Sequence, residues 1–180
     1  MRIRIAIITI GVILAVAIYS RATDSRTAGI FPIDPPTPYF HYPAAGSSRG
    51  NILVVHGLNS SKQVMDSFSR AIADSGFEVY SIDLPGHGDS PAGFSSEQAR
   101  KAVDGALGQI PELTAVIGHS LGAALLMDIA NERQFNSIVL LSPPPEPVNI
   151  IRAIRILVMT GEFDLPRIIE FAPEIQGGAS

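Results

Sequence analysis

One serine in this chain has the neighbours that covalent chemistry needs. Ser120 stands between Gly118 and Gly122 in a G-x-S-x-G motif, after an apolar run at 114–117 and before a second run that ends near Asn131. A short apolar run is typical of a buried strand, and a longer run without breakers favours a helix. Glycines allow a turn so tight that side chains there would collide with the neighbouring backbone. The motif therefore predicts a nucleophile elbow, which presents the Ser120 hydroxyl for attack on a carbonyl.

The same five-residue pattern occurs a second time, centred on Ser48 at residues 46–50. Its surroundings differ, because coil that includes Pro43 precedes it and an apolar strand-like run follows it. A motif of this kind has meaning only in the right structural context. We therefore interpret Ser48 as a loop residue and Ser120 as the nucleophile.

Composition limits the classes of protein that the chain can represent. The 180 residues predict a single domain, and a hydrophobic content of 46% is enough for a core. The net charge of −4 without a basic cluster argues against nucleic acid as a partner. Cysteine is absent, which excludes disulfides and thiolate metal sites, and no His, Asp or Glu cluster has metal-ligand spacing. We expect neither a metal nor a cofactor.

The N-terminal residues 1–22 differ from the rest of the chain. Arg2 and Arg4 precede an uncharged run at 5–19, which at ~1.5 Å per residue is short for a bilayer core of ~30 Å. One interpretation is a single-pass membrane anchor with its arginines in the cytoplasm. The other is a secretory signal peptide, cleaved after small residues near position 17 or 22. We favour the anchor and therefore a membrane location, with a secreted protein as the alternative.

Apolar runs separated by helical patterns predict an α/β fold. Residues 23–50 form a proline-rich linker with one short edge strand at 39–42, and residues 51–180 form the domain. Strands are predicted at 51–55, 77–83, 114–117, 137–142 and 154–160. Helices are predicted at 62–75, from a cap at Ser95 to about Gly108, and after Ser120. Strands that alternate with helices indicate a parallel sheet with its site at the carboxyl ends of the strands.

Four short segments together carry a family resemblance. They read His-Gly-Leu at 56–58, Asp-Leu-Pro-Gly-His-Gly-Asp-Ser at 83–90, Gly-His-Ser-Leu-Gly at 118–122 and Thr-Gly-Glu-Phe-Asp at 160–164. In this order and spacing the chain resembles the α/β-hydrolase family from about residue 51 to 164. The resemblance implies a three-layer fold with a mostly parallel sheet.

The resemblance also implies roles for particular residues. Ser120 would be the nucleophile, and the backbone N–H groups of Leu58 and Leu121 would form the oxyanion hole. Asp164 would be the acid of the catalytic triad, with Glu146 as the alternative. An ordinary helix cap is the competing interpretation of Asp164, because Pro166 follows at an early helical position.

The histidine residues depart from the family pattern. The family places the triad histidine after the acid, whereas His41, His56, His87 and His119 all precede Asp164. We therefore expect a chain truncated at its C-terminus, which lacks the final strand and helix of the fold and shows little turnover on its own. His56 is expected to pack the oxyanion loop and His41 to be exposed.

The function expected from the resemblance is hydrolysis of carboxylic esters or related acyl bonds in small substrates. A serine peptidase of the same fold and a catalytically inactive binding protein are the alternatives. The loop at 143–153 is too short for a cap domain, which predicts an open site. Asp83, Asp89 and His87 are expected to order their own loop.

Overall fold

The computed structural model describes residues 25–145, 153–160 and 164–171. In these ranges the strands are β1 (Thr27–Phe31), β2 (Thr37–Tyr42), β3 (Asn51–Val55), β4 (Glu78–Ile82), β5 (Leu113–His119), β6 (Phe135–Leu141) and β7 (Ala153–Met159). The helices are α1 (Asp66–Asp74), α2 (Ser96–Gln109), α3 (Leu121–Ala130) and α4 (Leu165–Phe171).

All seven strands form one sheet in the order β1-β2-β4-β3-β5-β6-β7. Strands β3 to β7 pair in parallel, while β1 and β2 run antiparallel at one edge. The mostly parallel sheet predicted from the alternation of strands and helices is confirmed. Strand β3 lies between β4 and β5, so the ends of β3 and β5 are neighbours.

Helices cover both faces of the sheet and make a three-layer fold. Along β3, Leu53 and Val55 pack with residues of α2 and α3, whereas Ile52 and Val54 pack with residues of α1 and α4. Successive side chains of a strand point to opposite faces. Strands buried on both faces must be apolar throughout, which explains the continuous apolar runs in the sequence.

The predicted linker at 23–50 contributes two strands to the sheet. We expected one edge strand at 39–42, but β2 pairs with both β1 and β4, and β1 is the edge strand. Several prolines lie in the connection between the two strands, which made the segment look like coil. Phe31 of β1 is buried and stacks on Tyr39 of β2 with ring centroids 4.2 Å apart.

Helix α1 begins later than the predicted range of 62–75. The backbone N–H of Lys62 donates to Asp83 Oδ1 at 2.8 Å, so this residue belongs to a loop that is tied to the end of β4. The predicted cap of α2 is confirmed, because Ser95 Oγ accepts a 3.1 Å hydrogen bond from the Gln98 N–H.

Strand β7 is exposed along one face. Leu157 and Met159 are buried toward α1 and α4, whereas Ile156 and Val158 on the opposite face are 39% and 41% exposed. In the described ranges β7 pairs only with β6.

No helix among the described residues is long and apolar enough to cross a membrane. The predicted anchor or signal peptide at 1–22 lies outside those residues.

Candidate active site

Ser120 occupies a sharp turn between β5 and α3. Its backbone has φ 49° and ψ −107°, a left-handed conformation that is unfavourable for a residue with a side chain. Its N–H donates to the carbonyl of Leu141 at 2.9 Å, and its own carbonyl accepts from the Ala124 N–H at 3.0 Å. These bonds to β6 and to the first turn of α3 hold the turn in place.

The two glycines of the motif lie where the backbones come closest. A side-chain carbon on Gly118 would lie 2.6 Å from the backbone nitrogen of Ala123. A side-chain carbon on Gly122 would lie 2.8 Å from the carbonyl oxygen of His56. Contacts of this length leave no room for any other residue. The steric reason given for the motif is confirmed.

The loop after β3 packs directly against the candidate nucleophile. A side-chain carbon on Gly57 would lie 3.2 Å from Ser120 Cβ, and β3 and β5 pair at Val55 and Gly118. Leu58 follows Gly57, and Leu121 is the first residue of α3, where backbone N–H groups lack helical partners. In the described ranges neither leucine N–H donates to a backbone carbonyl outside regular secondary structure. The fold therefore brings Ser120, Leu58 and Leu121 to one place at the carboxyl edge of the sheet.

Both ring nitrogens of His56 bond backbone groups of this loop and of the neighbouring one, and not Ser120. The ring is fully buried, its Nε2 accepts from the Leu84 N–H at 3.0 Å, and its Nδ1 donates to the Gly57 carbonyl at 2.7 Å. With one nitrogen accepting and the other donating, the ring is neutral. Burial lowers the pKa of His56, which also favours the neutral ring. Asp83 Oδ1 lies 3.9 Å from Nε2, but this nitrogen already accepts a hydrogen bond, so the contact is not an ion pair.

Two other histidines bond groups other than the Ser120 hydroxyl. His87 Nδ1 bonds the Pro85 carbonyl at 2.9 Å, and its ring centroid lies 5.3 Å from that of His56. His41 was expected to be exposed, which is wrong. It lies half-buried in β2, stacks on Tyr80 at 4.6 Å and bonds Glu78 at 2.6 Å. Pairing of β2 with β4 brings His41 beside these residues.

His119 ends β5 next to Ser120. Its Nδ1 lies 3.0 Å from the point that a side-chain carbon on Gly57 would occupy. The ring therefore packs against the loop after β3, residues 56–61, which we call the oxyanion loop after its predicted role.

Asp164, the candidate acid, is exposed and caps α4. Its Oδ1 accepts a 3.1 Å hydrogen bond from the Arg167 N–H, as the competing interpretation of a helix cap predicts. The alternative acid Glu146 lies outside the described residues, as do residues 146–152 of the loop that was expected to leave the site open.

Comparison with known proteins identifies the family of this chain. A sequence model of the alpha/beta hydrolase family matches residues 52–177. The chain belongs to the alpha/beta hydrolase family. No curated protein matches it.

Solved structures share the fold of this alpha/beta hydrolase at low sequence identity. A deformylase from Pseudomonas putida is 21% identical with a TM-score of 0.58, and the match covers 66% of this chain and 47% of that one. A thioesterase domain from the curacin biosynthetic pathway is 20% identical with a TM-score of 0.59, covering 67% and 46%. A serine hydrolase without a lid from Xanthomonas campestris is 16% identical with a TM-score of 0.60, covering 77% and 72%. The chain thus spans less than half the length of the first two.

Among the described residues of this hydrolase, one buried charged side chain was not singled out from the sequence. Lys62 is 1% exposed, and its Nζ donates to Asp83 and, at 2.6 Å, to Asp89. Asp83 Oδ2 also accepts from the Asp89 N–H at 2.8 Å. The hydrogen bond from Lys62 holds the pKa of Asp89 below its usual value. These contacts confirm that Asp83 and Asp89 order their loop, and they add Lys62, which no motif marks.

Among the described residues, no group of three or more His, Asp or Glu side chains is placed to hold a metal ion.

Proposed function

We propose that this alpha/beta hydrolase hydrolyses carboxylic esters or related acyl bonds through Ser120. The observation that carries the proposal is the position of Ser120, on a strained turn at the N-terminus of α3 and packed against Gly57 of the oxyanion loop. Backbone strain of this kind persists only where the surrounding structure enforces it, and it is concentrated at functional sites.

In the proposed reaction, Ser120 Oγ attacks the substrate carbonyl and forms a tetrahedral oxyanion. The N–H groups of Leu58 and Leu121 stabilise that oxyanion, and the N-terminus of α3 adds its partial positive charge. The alcohol or other leaving group departs, and water then releases the acyl group from Ser120.

A base must accept the Ser120 proton, because a neutral serine hydroxyl is a weak nucleophile. The proposal leaves the triad histidine unassigned and takes Asp164 as the acid, with Glu146 as the alternative.

The substrate class follows from the proposed site. We propose a small acyl or ester substrate that reaches an open site without a cap, in the manner of the lidless serine hydrolase from Xanthomonas campestris. We further propose that residues 1–22 tether the hydrolase to a membrane, or direct its secretion.

Matched assays with p-nitrophenyl acetate, an acyl thioester and a peptide anilide test this function. The proposal expects ester turnover above anilide turnover, lost in Ser120→Ala and retained in Ser48→Ala. Ser48 is the appropriate control because it lies in the same five-residue pattern but in an exposed loop. Turnover that persists in Ser120→Ala would refute the proposal, and turnover of the anilide alone would indicate a peptidase.

A further inference from the structure

The oxyanion loop is held at two points on either side of Leu58. Upstream, His56 bonds the Gly57 carbonyl and accepts from the Leu84 N–H. Downstream, the Lys62 N–H donates to Asp83 Oδ1 at 2.8 Å. Leu84 and Asp83 directly follow β4, which pairs with β3. Both anchors of the loop therefore reach the end of the same neighbouring strand.

The segment between the anchors is short and sharply bent. Only residues 57–61 separate His56 from Lys62, and Asn59 within them has φ 53°. A left-handed conformation is uncommon for a residue other than glycine, although asparagine tolerates it better than most. A segment this short, fixed at both ends, has little freedom to move the Leu58 N–H.

The downstream anchor depends on charge. Asp83 is fully buried, and Lys62 Nζ is the cation that its carboxylate contacts. The same ammonium lies 4.7 Å from the centre of the Phe40 ring, so the pair is enclosed by an aromatic face. A buried carboxylate that loses its cation is strongly unfavourable and must change its surroundings. Without Lys62 Nζ the unpaired carboxylate of Asp83 would be driven to protonate or to shift toward water, and the backbone N–H of residue 62 that it holds would lose its fixed position.

We propose that the buried Lys62–Asp83 pair positions the Leu58 N–H for the oxyanion, which makes both side chains positioning residues. The inference rests on the proposed function, since it assigns a role within the same site. Lys62 touches no reacting atom in this account and acts through the loop that it ties down.

A pair of phosphonate probes tests this role. In a fluorophosphonate, Ser120 Oγ displaces fluoride from phosphorus, the serine proton passes to solvent, and the P=O oxygen enters the oxyanion hole. The matching phosphonothioate has a larger P=S sulfur that fits the hole poorly. Each labelling rate is divided by its wild-type value, and the P=O result is then divided by the P=S result. A change in the intrinsic reactivity of Ser120 alters both rates equally and cancels, so this ratio reports the geometry of the hole.

Lys62→Met should lower the rate of P=O labelling about tenfold and the rate of P=S labelling much less. The fall is smaller than the roughly 10²–10³-fold effect of losing a whole oxyanion donor, because the Leu58 N–H is displaced and not removed. Lys101→Met is the matched control, because the other lysine of the chain makes an exposed pair with Glu97 on α2. It should leave both rates unchanged. In Lys62→Met/Asp83→Asn no buried charge is left unpaired, and the amide oxygen can still accept the backbone N–H of residue 62. The amide nitrogen would face the Asp89 N–H that Asp83 Oδ2 accepts in the wild type, so only part of the ratio should return.

Hydrogen exchange gives a second measurement that needs no activity. The N–H of residue 62, which donates to Asp83 in the wild type, should exchange faster in Lys62→Met, while Ser96–Gln109 stays unchanged. An unchanged rate ratio, including an equal fall in both rates, or unchanged exchange at residue 62 would overturn the inference. If neither probe labels Ser120 in the wild type, the proposed function is refuted. The hydrogen-exchange result then decides by itself whether Lys62 holds the loop.

Discussion

The carbonyl oxygen of His56 lies 2.8 Å from the point that a side-chain carbon on Gly122 would occupy. This approach sets the first turn of α3 against the end of β3. It is the reason why Ser120, at the start of α3, lies beside the loop that follows β3. The geometry of the candidate site thus depends on a residue with no side chain.

Gly122→Ala should destabilise the fold by about 1–3 kcal/mol, because the new methyl group meets backbone that cannot move aside. Gly108→Ala on α2 is the control, since nothing lies within 4 Å of its added carbon. It should instead stabilise by about 0.4–1 kcal/mol. Urea denaturation measures both values, and a neutral Gly122→Ala would show that the two backbones are not in contact.

Ser120→Gly should be more stable than Ser120→Ala by about 1 kcal/mol. The position has φ 49°, where a side chain costs roughly 1–3 kcal/mol and glycine is unstrained. Both variants remove the hydroxyl, so the difference in their free energies of unfolding is the backbone strain minus the cost of the greater unfolded-chain entropy of glycine, about 0.4–1 kcal/mol. A Ser120→Gly variant that is less stable than Ser120→Ala by that amount would mean that the turn stores no strain.

Stability should decrease as the pH falls below about 6.5. Burial lowers the folded pKa of His56, so the unfolded chain binds a proton at a pH where the folded chain does not. The contribution is complete above the unfolded pKa and is lost, by at most about 1.4 kcal/mol per pH unit, as the pH drops toward the folded value. Denaturation of the wild type and His56→Gln between pH 7.5 and 5 measures it. The free energy of unfolding should depend less on pH in His56→Gln than in the wild type. An unchanged dependence would mean that another group causes the loss of stability.

Much of this architecture could be predicted because it follows from local pattern. Apolar runs of strand length gave β3 at its observed bounds, and the spacing of two glycines gave the turn at Ser120. Strand β1 was missed, and β2 was predicted only in part at 39–42, because the prolines in their connection made this segment look like coil.

Lys62 could not have been found in the sequence. Its partners lie 21 and 27 residues away, and only the pairing of β3 with β4 brings the two loops together. A lone lysine shows no periodicity and matches no motif, so its burial becomes visible only in the folded chain.

Val158→Lys should reduce self-association of the protein. Ile156 and Val158 expose an apolar face on β7, which pairs with only one strand among the described residues, and such edges promote aggregation. The lysine should increase the monomer fraction in analytical ultracentrifugation, at a stability cost within about 0.5 kcal/mol. Val64→Lys, at a more exposed valine outside the sheet, is the control and should change association less. Equal effects of the two variants on the monomer fraction would indicate that the exposed face of β7 does not drive self-association.

The central claim, that Ser120 is the nucleophile, is tested most directly by locating the adduct of a fluorophosphonate in the labelled protein by tandem mass spectrometry. The account predicts a single adduct on Ser120, absent in Ser120→Ala and unaffected in Ser48→Ala. The measurement depends on which serine reacts rather than on how fast it reacts. Labelling of Ser48 as readily as Ser120, or no labelling of Ser120 at any probe concentration that leaves the fold intact, would contradict it.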